Sequence, residues 1–451
     1  MPNTIKIKKG LNIPVEGEAP DSIVGQIKPD IVKVYPEDFA GLVPKVNVKV
    51  GDRVQAGSPL LHDKNNADIV FVSPVGGEVI SVTRGEKRRL LDITVKTDAA
   101  VPAKEFEKKN PANLSKDEIK AALFESGLWP FIKQRPYDVV ANPDVEPRDI
   151  FVTAFSTAPL APSYDFIIGR EPANLQTGLD ALSKLTGGKV YLGVGTKTKL
   201  PAIREAKNVE IYEFDGPHPA GNVGLHINKI KPVNKGETVW TLNAPDVLFI
   251  GRLFNEGKVD LTRLVAYTGS EAVKKGYYSM VIGSSIQSLI DTNTTKGQPL
   301  RYISGNVLTG TKIEADGHLR YYDGQITVIP EGNETHEILG WALPGFQKFS
   351  AGSTYFSKLF GKRKYRFDAR LLGGKRAIFM ANEYEKVFPM DILPEYLIKA
   401  TITFNIDKME QLGIYEVAPE DFALCEFVDT SKLEVQKIIR AGLLQLKKEM
   451  E

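Results

Sequence analysis

The sequence predicts a multidomain protein that combines α/β and α+β units. Three observations carry this. The chain has 451 residues, more than one hydrophobic core usually organises. Its first hundred residues read as short strands with tight turns, whereas residues 112–216 alternate strands with helix-length segments. Further on, a mixed stretch gives way to a helical end. The expected units are 1–100, 112–216, 217–300 and 301–451.

In the first unit, residues 31–35, 46–50 and 78–82 alternate apolar and polar side chains in the period-2 manner of half-buried strands. Gly51-Asp52, Ala56-Gly57-Ser58-Pro59 and Gly76-Gly77 separate them with turn chemistry. A linker over 98–111 follows. Ser115-Lys116-Asp117-Glu118 reads as a capping box, with the Ser115 hydroxyl accepting from the backbone at Glu118 and the Glu118 carboxylate reaching back. The helix it opens shows an apolar stripe at Ile119, Ala122 and Leu123, with Gly127 as its stop.

Residues 149–155 read as a buried strand, 189–192 as a second and 209–214 as a third. Leu175, Leu179, Leu182 and Leu185 mark the face of an intervening helix that ends at Gly187-Gly188. Strands so separated pair in parallel through right-handed crossovers, giving a small Rossmann-like layer. After 217 short strands are expected at 247–250, 264–267 and 279–282, then a strand-rich stretch from about 300 to 380. Residues 391–400 and 432–449 carry helical spacing.

Composition narrows the function. The formal charge is +2, from 58 basic and 56 acidic residues, so no global field draws the chain to nucleic acid. No stretch approaches the apolar length of a membrane-spanning helix, and the start lacks the apolar core of a secretory signal. A cytoplasmic setting is expected. Cys425 is the only cysteine. The chain alone therefore builds neither a disulfide nor a four-thiolate iron–sulfur or zinc site.

Local motifs each admit a bland and a chemical reading. Residues 50–60, with Gly51-Asp52-Arg53-Val54 and Gly57-Ser58-Pro59-Leu60, and Pro74-Val75-Gly76-Gly77 resemble the turn signatures of the biotinyl/lipoyl barrel-sandwich. Lys64 sits near where such domains carry their prosthetic group, although a purely structural hairpin suits its flanks better. Gly193-Val194-Gly195 follows a strand but lacks the third glycine of a dinucleotide fingerprint, since position 198 is Thr198; a structural turn is expected. His62, His218, His226, His318 and His336 form no metal-binding spacing. Gly361-Lys362-Arg363-Lys364-Tyr365-Arg366-Phe367, with Lys375-Arg376 nearby, reads as a basic, aromatic hairpin. It is either a solvated turn or a surface docked on acidic partner loops or anionic headgroups.

Together these pieces resemble one family. Lys8-Lys9-Gly10-Leu11-Asn12-Ile13-Pro14-Val15-Glu16-Gly17, Ser126-Gly127-Leu128-Trp129-Pro130-Phe131 and Gly221-Asn222-Val223-Gly224-Leu225-His226-Ile227 are similar to the A subunit of the Na+-translocating NADH:quinone reductases. So are Ile250-Gly251-Arg252-Leu253-Phe254, Leu339-Gly340-Trp341, Phe388-Pro389-Met390-Asp391 and Glu420-Asp421-Phe422-Ala423-Leu424-Cys425. The likeness runs in order along nearly the whole chain.

The resemblance implies a barrel-sandwich, a Rossmann-like layer, a ligand-binding β-grasp unit and a helical C-terminal region. It implies a peripheral place on the cytoplasmic face of the bacterial inner membrane, among five other subunits of a complex that oxidises NADH, reduces quinone and exports Na+. FAD, FMN, riboflavin and the iron–sulfur centre belong to those other subunits. More distant flavin-binding relatives carry a glycine-rich loop where this chain has Trp129-Pro130-Phe131, whose bulk obstructs a phosphate. Expected contacts to a quinone are Trp129, Phe131, Lys133, Arg135 and Tyr137, with filling of the vacated flavin site as the plainer role. Lys362, Arg363, Lys364 and Arg366 are the expected docking residues. No catalytic or metal residue is expected. A lipoyl or biotinyl carrier and an independent flavin-dependent oxidoreductase are the alternatives.

Overall fold

The computed structural model describes residues 3–333, 344–352, 354–361 and 363–450. Four sheets organise these residues. Two belong to the N-terminal barrel-sandwich. One is antiparallel, in the order Ile31–Val34, Leu90–Thr97, Gly77–Arg84, Arg53–Val54; the other joins Pro44–Val46, Pro59–Asp63 and Val70–Val72. Alternation puts Val32, Val34, Leu60, Phe71, Val79 and Val95 in the space between them. The strand expected over 46–50 is shorter than its apolar pattern, because pairing with Pro59–Asp63 ends at Val46.

The capping box forms as expected. Ser115 accepts from the Glu118 backbone at 3.3 Å, the Glu118 carboxylate accepts from the Ser115 backbone at 2.8 Å, and helix Lys116–Ser126 ends at a left-handed Gly127. The seven-stranded sheet then takes Glu210–Asp215, Val190–Gly195, Ile150–Thr153 and Val239–Asn243 in parallel. Asn3–Lys6 adds in parallel beside Glu210–Asp215, and Lys133–Arg135 with Val139–Val140 closes the other side antiparallel. Helices Pro172–Ser183 and Ala244–Glu256 cover one face, and Val223–Ile230 packs on the other, against Phe151 and Tyr191.

The strand expected at 247–250 is wrong. Val247, Leu248, Phe249 and Ile250 lie in helix Ala244–Glu256, which is buried on almost every side, so that four consecutive apolar residues there resemble a buried strand. It crosses helix Pro172–Ser183 closely. A Cβ on Gly251 would stand 1.9 Å from the Asn174 carbonyl oxygen, and one on Gly178 would meet Val247 at 2.5 Å.

The six-stranded mixed sheet runs Thr311–Ile313, Leu300–Ser304, Gln325–Pro330, Thr262–Thr268, Gly276–Val281, Ile23–Ile27. Helix Gln287–Asn293 packs on it through Leu289 and Ile290. Strands end at Pro330 among the described residues, so the strand-rich expectation fails beyond that point. The expected basic hairpin is absent too: Tyr365 makes only an isolated bridge to Val15, and Lys362 lies outside the described residues, as do His336 and 339–341. Two strands reach across the expected units, Asn3–Lys6 into the seven-stranded sheet and Ile23–Ile27 into the six-stranded one. Helices Pro394–Ile402 and Val435–Met450 build a C-terminal core that also takes in Ile7, Ile13, Phe214 and Leu225.

Candidate functional site

After Gly127 the chain makes one tight turn, Trp129–Phe131, and enters strand Lys133–Arg135. Trp129 is fully buried. Its Nε1 donates to the Ala141 carbonyl at 2.8 Å and its ring meets Phe124 and Trp240. Phe131 stacks on Tyr321, with centroids 4.8 Å apart, and leans on Phe249. This turn is therefore part of the continuous core that links the barrel-sandwich to the seven-stranded sheet.

Strand alternation sends Lys133 and Arg135 to one side. Arg135 is buried, donating through Nη1 to Asp421 Oδ2 at 2.9 Å and through Nη2 to Glu420 Oε1 at 3.1 Å. The Lys133 ammonium lies 4.0 Å above the Tyr322 ring and has no ion pair among the described residues. Tyr137 has a left-handed backbone, and its carbonyl accepts from Arg440 at 2.9 Å.

Beside these residues lies a cavity of about 410 Å³. Thr153 and Asn243 line it from the carboxyl ends of two parallel strands, the position at which open α/β sheets hold ligands. Arg263 and Gln325 face it from the six-stranded sheet, Glu420 and Arg440 from the C-terminal helical region. Of the five expected quinone contacts, Phe131 and Lys133 line this cavity. Trp129 and Arg135 are core residues, and Tyr137 is outside the lining.

Most charge in the cavity is already paired. Arg263 meets Asp246 at 3.1 Å, Arg252 grips Glu171 with two nitrogens, and Arg440 holds Asp138. Burial would raise Asp138, but Lys133, Arg440 and Arg135 outweigh it and keep its carboxyl low. Asp323 accepts from Ser304 Oγ at 2.7 Å and feels Arg263 and Arg320, yet burial outweighs them and pushes it up to about 6. Glu420 is raised as well, by burial and then by the neighbouring Asp421. Its side chain keeps 41% exposure at the cavity wall, so this rise is screened by solvent. Sequence reading missed Asp246, Arg263, Asp323 and Arg440. The motifs around Gly221-Asn222, Arg252 and Glu420-Asp421 pointed near them.

The other flagged residues resolve simply. Gly193 and Gly195 lie inside strand Val190–Gly195, not in the expected turn. A Cβ on Gly193 would stand 2.3 Å from His226 Nδ1, so the missing side chain makes room for an imidazole and not for a pyrophosphate. His226 is stacked between Phe155 and Phe214, its Nε2 meets the Ala220 carbonyl, and burial lowers it to about 4. His218 is lowered likewise. Lys64 is exposed between strands Pro59–Asp63 and Val70–Val72. Burial pushes the Cys425 thiol up. Among the described residues, no group of three or more His, Cys, Asp or Glu stands ready for a metal, and no helix is long and apolar enough to cross a membrane. Arg363 donates to the Phe346 carbonyl, Lys364 pairs with Glu18, and Arg366 donates to Glu271 at 2.7 Å.

A barrel-sandwich fused through one core to mixed α/β sheets, with a polar cavity at their meeting point, defines a multidomain scaffold class. Comparison with known proteins narrows it. Residues 5–98 match the family model "NqrA N-terminal barrel-sandwich hybrid domain", 114–259 the "NqrA second alpha/beta domain" and 264–315 the "NQRA C-terminal domain". The A subunit of the Na(+)-translocating NADH-quinone reductase of Neisseria meningitidis serogroup B is 37% identical, over 99% of this chain and 100% of the relative. Those of Saccharophagus degradans and Vibrio atlanticus are each 36% identical over the same shares. The chain belongs to the NqrA family, the A subunits of the Na+-translocating NADH-quinone reductases.

Proposed function

We propose that the chain works as a peripheral subunit of a Na+-translocating NADH:quinone reductase, a translocase that couples NADH oxidation and quinone reduction to Na+ export. The observation that carries this is identity of 37% maintained over 99% of the chain. In this reading the chain organises the assembly and is not catalytic alone. Flavins (FAD, FMN, riboflavin) and the iron–sulfur centre ride on five other subunits, and the complex holds this one at the cytoplasmic face of the bacterial inner membrane. The single cysteine and the core packing of Trp129-Pro130-Phe131 support that division. The seven-stranded sheet is read as a Rossmann-like layer and the six-stranded one as a β-grasp-like unit. The units 1–100, 112–216, 217–300 and 301–451 then exchange strands at their borders. Affinity capture of the tagged chain from membranes tests the assignment. Membrane-embedded partners and NADH:quinone reductase activity are expected in the eluate, and a colourless, NADH-inert protein when the chain is purified alone. A purified chain that shows a flavin spectrum and oxidises NADH would overturn it.

A quinone contact is a second reading, favoured by the Lys133 ammonium, which faces the cavity with no ion pair among the described residues. A quinone carbonyl accepts from Lys133 while its ring lies along Phe131. Trp129, Arg135 and Tyr137 then support the wall rather than touch the ring. Photo-crosslinking with a quinone analogue is expected to label the peptide around Lys133; labelling confined to other subunits would sink this reading. The basic residues Arg363, Lys364 and Arg366 are read as part of the docking surface, along with Lys362 outside the described residues.

A further inference from the structure

Charge is distributed unevenly along this nearly neutral chain. Residues 344–380 hold nine Lys and Arg and one acid, Asp368, leaving 49 basic and 55 acidic residues elsewhere. A net charge of +2 thus hides a segment of +8 in a protein that is otherwise −6. Part of this charge is neutralised locally, since Lys364 pairs with Glu18, Arg366 with Glu271 and Lys375 with Glu434. Three of the eight surplus charges are thus answered by acids elsewhere in the chain.

Exposed apolar side chains gather in the same segment. Phe346, Phe356 and Phe360 are each more than half exposed, and Leu359 is 79% exposed. The three rings form one cluster, with Phe346 6.1 Å from Phe356 and 5.8 Å from Phe360. Arg363 caps it, its guanidinium 5.2 Å above the Phe360 ring and its Nη1 on the Phe346 carbonyl. Three residues on from Phe346, Phe349 packs with Tyr365, Phe367 and Phe427, which ties this segment to helix Ala423–Val428. Solvent-facing aromatics are expensive to leave in water.

We propose that this patch seats the chain directly on an anionic lipid surface, with Phe356, Leu359 and Phe360 entering the headgroup layer and the surrounding arginines and lysines binding lipid phosphates. The proposal rests on the docking reading above and names what is docked on. Protein interfaces enrich aromatics and arginine but deplete lysine and gather few charges at their core, whereas five of the nine cations here are lysines. Here cations of one sign are interleaved with large apolar groups, the pairing that anionic bilayers recognise through area burial and surface potential together.

Co-sedimentation of the full chain with vesicles tests it, using phosphatidylcholine alone and phosphatidylcholine mixed with phosphatidylglycerol. Binding is expected only to the mixed vesicles, and is expected to weaken as salt rises. Either Phe356→Ser with Phe360→Ser, or Arg363→Glu with Lys364→Glu, is expected to lower it roughly tenfold while leaving the melting temperature in place. No preference for phosphatidylglycerol, or variants that bind like the parent, overturns the proposal. Copurification of the same variants with membrane subunits in lipid-free detergent separates the two readings. Retained copurification with lost vesicle binding supports lipid seating. Lost copurification with a parent chain that ignores vesicles means that the patch faces a protein, so lipid seating fails while docking stands. Variants that match the parent in both assays remove this patch from docking altogether.

Discussion

Arg135 Nη1 stands 2.9 Å from Asp421 Oδ2, with the two side chains only 1% and 3% exposed. The pair joins the strand after the Trp-Pro-Phe turn to the C-terminal helical region, across 286 positions of sequence. Arg135→Met is expected to destabilise the protein by about 3–5 kcal/mol, because Asp421 is then left buried beside Glu420 without its counter-ion. Adding Asp421→Asn is expected to restore part of the loss. Melting curves of the single and double variants measure both.

Asp323 predicts a pH dependence of known sign. Its folded pKa, about 6, lies above its unfolded value of about 3.9. The protonated carboxyl therefore contributes stability that is complete below about pH 4 and lost as pH rises through 6. Asp323→Asn has no proton to lose. Its melting temperature is expected to match the parent near pH 4 and exceed it at pH 8, by about 1–3 kcal/mol of stability. Equal curves at pH 8 would contradict the burial of this carboxylate.

Gly193→Ala tests what the Gly-Val-Gly sequence is for. The new methyl would meet the His226 imidazole, which two aromatic rings hold in place, so a loss of about 2–4 kcal/mol is expected. A variant as stable as the parent would mean that His226 has somewhere to go.

Ser115→Ala removes the hydroxyl that caps helix Lys116–Ser126 and is expected to cost about 1 kcal/mol. Glu118→Gln should cost less, since its amide oxygen still reaches the Ser115 backbone. Thermal melts of the two variants rank them.

Local chemistry explains which parts of this fold were legible. Ser115, Glu118 and Gly127 marked a helix by short-range hydrogen bonding, and Leu175, Leu179 and Leu182 marked another by a single buried face. Val247 to Ile250 misled because a run of four apolar residues in a largely buried helix looks like a buried strand when read alone. The better signals there were Asn243 and Pro245 at its start and Gly257 at its end. The site was harder to read. Phe131 and Lys133 were found because they adjoin the replaced loop, whereas Arg135 looked like a ligand contact until Asp421 arrived from the far end of the chain. Arg263, Asp323 and Arg440 carry no local motif at all.

The strand Asn3–Lys6 fixes an order of events during synthesis. Its partner, Glu210–Asp215, leaves the ribosome roughly two hundred residues later, so this early segment waits through nearly half of the chain before it finds its place. Until then Asn3–Lys6 has no partner strand, the kind of unpaired edge through which half-made chains stick to one another. The strand Asn3–Lys6 is in this sense a late-closing clasp, and substitutions that weaken it burden the step that seals this side of the sheet.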